Sequence, residues 1–283
     1  MTPEQLTPAH AHHGEGPVWD AASGVLRWVD MLAGDILTLE PDGVVHRLHV
    51  GDVAAAFRPR AGGGLVVAVE RGFVLVDDDG RVGPVHTAFE DPDVRMNDGG
   101  CDPAGRFFCG SMAYDMSPGR GGLFRFDPCG DVTPVLDDLT ISNGIAWSAD
   151  GTRLHYIDTG TGRVDLFDYD VESAALSNRR PFATIDPANG LPDGLALDAE
   201  GGTWVALWTG SAVHRYGPDG TLDAVVRLPV SQVTACAFGG ENLDELFITT
   251  SRLGLPDGDE PEAGAVFRVD PGVRGLPVPV FAG

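Results

Sequence analysis

The chain has 283 residues, a formal charge of −23 and a pI near 4.4, which excludes the basic face that nucleic-acid phosphates require and disfavours docking on anionic membranes. All 19 of its basic residues are arginines, so chemistry built on a lysine Schiff base or a Walker-type phosphate lysine is excluded as well. No apolar run nears the roughly 18 residues of a membrane span, and residues 1–14 carry no basic-then-apolar leader, so a soluble, cytoplasmic protein is expected.

Short runs rich in Val, Leu, Phe, Trp and Tyr alternate with Gly-, Pro- and Asp-containing turns along the chain, and helical periodicity is nearly absent. The first unit reads as four strands at 17–19, 25–29, 36–39 and 44–48, broken by turns at 22–24, 33–34 and 41–43. One position then recurs: Glu15, Ala54, Asn97, Asn143, Asp193 and Thr234, spaced by 39, 43, 46, 50 and 41 residues. Glu15, Asn97, Asn143 and Asp193 each stand five residues ahead of Asp20, Asp102, Ser148 and Asp198, and a glycine turn and an apolar run follow each time. Segments 117–121 and 255–264 read as longer loops within units. The fifth unit repeats the plan of the first at 195–197, 204–207, 213–216 and 222–228. A period of this length made of four short strands predicts an all-β, six-bladed β-propeller forming a single domain over 1–283. A sandwich or barrel accounts for the strands but not for the period. Closing the ring requires one blade built from both chain ends, with the segment near Leu6 and the strand 278–281 as candidates.

In a ring, the recurring positions face one another across the axis and share a site. Glu, Asn and Asp are hard oxygen donors suited to Ca²⁺, Mg²⁺ or Mn²⁺ and tolerated by Zn²⁺. Two carboxylates with two neutral amides leave open positions for water and substrate. Taken singly, Ser142-Asn143-Gly144 and Pro192-Asp193-Gly194 are turn sequences; the register shared by four of six repeats favours ligands. The cysteines show no CxxC spacing, and Cys101, Cys109 and Cys236 read as packing residues. No GxSxG elbow is present, which disfavours a serine hydrolase. His10, His12 and His13 precede the first repeat, where an edge strand or a frayed end accounts for them, with His13 next to the tunnel mouth.

Four segments, GEGPVWD at 14–20, RMNDGGCDPAGRFFCGSM at 95–112, SNGIAWS at 142–148 and LPDGLALDAEG at 191–201, together resemble the SMP-30/gluconolactonase/regucalcin family. The resemblance spans nearly the whole chain. It implies one divalent cation in the central tunnel, of Ca, Zn, Mn, Mg or Fe(II) type, and hydrolysis of a sugar lactone to the sugar acid. The implied metal ligands are Glu15, Asn143 and Asp193, with Asp193 also the proton acceptor and Asp98 the alternative base. Arg95 and Asn97 match substrate-contacting positions. Some relatives place Glu-Glu after a GTMA segment to hold sugar hydroxyls; here GSMA is followed by Tyr114 and Asp115, which alters the expected sugar rather than the reaction. The expected partner is a small-molecule lactone, met by a monomer or weak homo-oligomer. Competing expectations are a metal-dependent phosphotriesterase and a non-catalytic calcium-binding propeller.

Overall fold

The computed structural model describes residues 1–283 and folds into six four-stranded antiparallel sheets, the blades of a β-propeller. Helical structure is confined to three single 3-10 turns, and no helix is long and apolar enough to cross a membrane. Six innermost strands surround the axis: Gly14–Asp20, Ala54–Pro59, Val94–Cys101, Ser142–Trp147, Leu191–Leu197 and Val233–Gly239. They are numbered here as blades 1 to 6. Each touches the innermost strand on either side, so the ring is closed.

A blade lies between two others, so both faces of its inner strands are covered. That is why Leu65–Val69 and Phe107–Ala113 are buried at every residue and read as continuous apolar runs rather than alternating ones. The core is the set of inter-blade seams. Between blades 2 and 3, Phe73 stacks on Phe126, which stacks in turn on Phe281, at centroid distances of 5.0 and 5.4 Å.

The residues five places after the register position hold the corners of the blades. Asp102 Oδ1 accepts the N–H groups of Ala104 and Arg106, and Asp198 Oδ1 those of Glu200 and Gly202. Asp20 does the same for Ala22 and Ser23, while Ser148 Oγ accepts from Arg153 N–H. The second oxygens of Asp20, Asp102 and Asp198 pair with Arg27, Arg106 and Arg215. These repeats are therefore structural: a carboxylate closes the turn from the first strand to the second and is held there by a neighbouring guanidinium.

Ring closure uses the N-terminal segment. Glu4–Gln5 pairs with Val266–Val269 as the outermost strand of blade 6, with Glu4 opposite Arg268 and Gln5 opposite Phe267. Residues 278–281 do not add a strand to that blade. Its outer edge is already taken, and Pro277 and Pro279 remove the donors a ladder needs. Instead Leu276 to Pro279 run beneath the tunnel, and Phe281 makes an isolated bridge to Arg60 of blade 2.

Candidate active site

Every innermost strand carries a register shift at the recurring position, between Glu15 and Val18, Ala54 and Ala56, Met96 and Gly99, Ser142 and Ile145, Pro192 and Leu195, and Val233 and Ala235. A bulge adds a residue to one strand, bends it and re-aims a side chain. The glycines that follow have the same origin. A Cβ on Gly144 would lie 2.7 Å from Leu195 Cγ, and one on Gly194 would lie 2.6 Å from Ala235 Cβ. Close approach of the next blade, rather than a turn, thus dictates Asn143-Gly144 and Asp193-Gly194.

The bulges bring Glu15, Asn97, Asn143 and Asp193 together, each only 5–6% exposed. Arg95 Nη1 donates to Asn97 Oδ1 at 2.7 Å, and Asn97 Nδ2 donates to Asn143 Oδ1 at 3.0 Å and to the Ser142 carbonyl at 2.9 Å. Asn143 Nδ2 donates to Thr159 Oγ1 at 2.8 Å, whose hydroxyl donates to the Pro192 carbonyl at 2.7 Å. On the other side, Thr234 Oγ1 donates to the Gly14 carbonyl at 2.6 Å. This belt orients both amides and pins the backbone just before each acid.

The acids themselves are left almost without donors. Glu15 accepts only its neighbour Gly16 N–H at 3.0 Å, and no protein donor bonds the Asp193 carboxylate. Burial, followed by repulsion from Asp98, pushes the Glu15 carboxyl up to about 8. Asp193 is raised well above the usual range by burial, then by Glu15 and Asp98, with Arg95 opposing. Asp98, one residue past Asn97, is raised by burial against the pull of Arg58. Buried acids without partners are strongly unfavourable unless a proton or a cation neutralises them. Two carboxylates and an adjacent amide oxygen in a narrow tunnel fit a hard divalent cation.

Arg95 forms one wall of the mouth. It is buried, donates also to the Met96 carbonyl at 2.9 Å, sits beside Met31 Sδ at 3.1 Å, and lies 5.9 Å from the Tyr114 ring centroid. Tyr114 is half exposed, and its hydroxyl donates to Glu70 Oε1 at 2.7 Å. Asp115 is not drawn into this cluster; it is exposed and accepts Ser117 N–H at 3.0 Å, closing its own loop. The carboxylate near Tyr114 therefore comes from Glu70 of blade 2.

His13 is neither frayed nor on an edge. Asp30 Oδ1 accepts the N–H groups of His12 and His13 at 3.0 Å, the His13 ring bonds Ser251 Oγ through Nδ1 at 2.8 Å, and its centroid lies 5.9 Å from Trp208, edge to face. Burial and then Arg95 push it down to about 3, so the imidazole is neutral. Met31, Glu70 and Thr159 each stand sixteen residues past Glu15, Ala54 and Asn143, just after the second strand of the blade, but their residue types share no chemistry that would mark the position; His13 lies just ahead of the first innermost strand.

These features define a six-bladed propeller with a buried acidic cluster on its axis. The chain matches the SMP-30/gluconolactonase/LRE-like region over residues 13–252 and belongs to that family. Regucalcin of Oryctolagus cuniculus is 36% identical over 293 aligned residues, covering 99% of this chain and 98% of that protein. Among solved structures, luciferin-regenerating enzyme is 32% identical, with a TM-score of 0.91 and coverage of 100% of this chain and 99% of that one. The calcium-binding protein regucalcin from Agrobacterium tumefaciens is 28% identical, with a TM-score of 0.93 and coverage of 100% and 98%.

Proposed function

We propose that this protein is a divalent-cation-dependent lactonase that hydrolyses a sugar (aldono-) lactone to its sugar acid. The observation that carries this is the pair of buried carboxylates, Glu15 and Asp193, that lack protein donors beyond Gly16 N–H and face neutral, pre-oriented amides beneath a buried arginine. Membership of a family whose description includes gluconolactonase supports the reaction class.

Glu15, Asn143 and Asp193 would hold the cation. A hard divalent ion there supplies Lewis acidity toward a lactone carbonyl and acidifies water. Arg95, a donor with no carboxylate of its own, orients the ring oxygens and pairs with the carboxylate of the product. Asn97 holds Arg95 and Asn143 in register and offers its amide edge to the substrate. Asp193 takes the proton from the attacking water, its basicity sustained by the neighbouring negative charges of Glu15 and Asp98. Tyr114, fixed by Glu70, walls the mouth on the Arg95 side and narrows the range of sugars admitted.

The test is lactone hydrolysis by chelator-stripped protein resupplied separately with Ca²⁺, Mg²⁺, Mn²⁺, Fe²⁺ and Zn²⁺ across a panel of aldonolactones. Turnover restored by a cation and lost in Asp193→Ala is expected. Cation binding without turnover above the spontaneous rate would favour a calcium-binding propeller instead.

A further inference from the structure

Beyond the acid cluster, at the end of the tunnel opposite Arg95, the innermost strands line a half-open cavity of about 370 Å³. Its wall is mainly apolar, and Leu276 to Pro279 line its lower side. One charged side chain lines it, Arg58 of blade 2. Arg58 stands four residues past Ala54. The same place in the other blades is held by Trp19, Cys101, Trp147, Leu197 and Phe238, so blade packing alone calls for an apolar residue.

The guanidinium is only partly engaged. Nη1 donates to the Phe57 carbonyl at 2.6 Å and Nη2 to the Gly99 carbonyl at 2.7 Å. That uses two of the five N–H groups of an arginine. No carboxylate forms an ion pair with Arg58, in contrast to Arg27, Arg106 and Arg215 at the blade corners. Asp98 acts on it through space from the side of the acid cluster, without a hydrogen bond between them. Ser148, the hydroxyl on the cavity wall, is committed to Asp150 at 2.7 Å. Gly100 makes room for the group, since a Cβ there would lie 3.2 Å from Arg58 Nη2. A guanidinium in an apolar wall with spare donors is strongly unfavourable unless an acceptor meets it, and a cavity of this size suits a small ligand.

We propose that this lower cavity is a second ligand site, which takes a small aliphatic carboxylate. Its head group sits on Arg58 and its hydrocarbon body lies against Ile145, Leu195 and Phe238. Guanidinium and carboxylate match as a two-pronged, charge-assisted pair. The site is separate from the chemistry at Asp193 and stands whether or not the protein hydrolyses lactones.

The test is isothermal titration of the calcium-loaded full chain with octanoate and, separately, with octanol. One-to-one binding of octanoate is expected, weaker by roughly tenfold or more for octanol and in Arg58→Gln, and unchanged in Arg95→Gln. Should Arg58→Gln fail to fold by circular dichroism, Ala196→Leu narrows the cavity with Arg58 intact and is expected to weaken octanoate similarly. Absence of octanoate binding, equal affinity for octanol, or unaltered affinity in Arg58→Gln or, where that variant does not fold, in Ala196→Leu overturns the proposal. Loss in Arg95→Gln instead places the ligand at the upper site and overturns it too.

Discussion

Removing the cation and raising the pH from 6.5 to 8 is expected to destabilise the protein, and Glu15 sets the size of the effect. Its carboxyl titrates at about 8 in the folded protein against 4.5 ordinarily, chiefly because it is buried and secondly because of Asp98. Within this window the folded, cation-free protein keeps a proton that the unfolded chain has already released. The native state then binds more protons, so the free energy of unfolding falls as pH rises. At 1.36 kcal/mol per pH unit, the interval costs on the order of 2 kcal/mol from Glu15, and Asp193 is shifted in the same direction. His13 and His155, pushed down to about 3 and about 4 mainly by burial, act with the opposite sign. The unfolded histidines are still half-protonated at pH 6.5, so each adds about 0.4 kcal/mol between pH 6.5 and 8, which offsets only part of the loss from the acids. A fall in Tm of roughly 4 °C is expected for the chelated wild type between pH 6.5 and 8, followed by circular dichroism. Saturating Ca²⁺ should abolish it, because a cation binds the deprotonated pair. Glu15→Gln in chelator should show a clearly shallower slope. A flat or rising Tm in the chelated wild type, or an undiminished slope in Glu15→Gln, would refute the burial argument.

Asn97→Ala removes the donor that orients Asn143 and should lower cation affinity by roughly 10–100-fold, measured by calorimetry with Ca²⁺. Arg95→Lys keeps the charge but loses the planar fork, and should raise KM roughly tenfold with a smaller change in kcat; unaltered kinetics would show that Arg95 does not touch substrate. Asp198→Ala strands the indole N–H of Trp204 and the N–H groups of Glu200 and Gly202, and leaves Arg215 only its outer partners Asp223 and Glu200. Urea unfolding should reveal a loss of about 2 kcal/mol, with cation affinity little changed, because this carboxylate serves a blade corner and not the tunnel.

The period, the strand composition and the blade count were legible because six copies of one plan reinforce a pattern that a single copy shows weakly. The beginnings of the inner strands were not. The fifth-blade strand was expected at 195–197 and runs over Leu191–Leu197, because Pro192-Asp193-Gly194 has the composition of a turn. Its glycine answers to the approach of Ala235 from the next blade, a contact between residues about forty positions apart. The register identified Glu15, Asn97, Asn143 and Asp193 as one site, since each repeat places its own residue in its own bulge. It gave no sign of Thr159 or Met31, which share one place just after the second strand of their blades but have no residue type in common. Asp115 shows the converse: the resemblance to relatives with Glu-Glu after a GTMA segment put it among the substrate-contacting residues, whereas accepting the Ser117 N–H turns it into its own loop.

The pairing of Glu4–Gln5 with Val266–Val269 also orders events during synthesis. Glu4–Gln5 must wait until Val266–Val269 has been made before it meets its partner. Blades 1 to 5 can form one after another as they leave the ribosome, but Glu15 and Asp193 belong to blades 1 and 5 and are held in place across the gap that blade 6 fills. A growing chain therefore carries both acids long before they share a tunnel. The two carboxylates come to face one tunnel in a single step when the seam shuts, and a product truncated within blade 6 is left with them separate on an open arc.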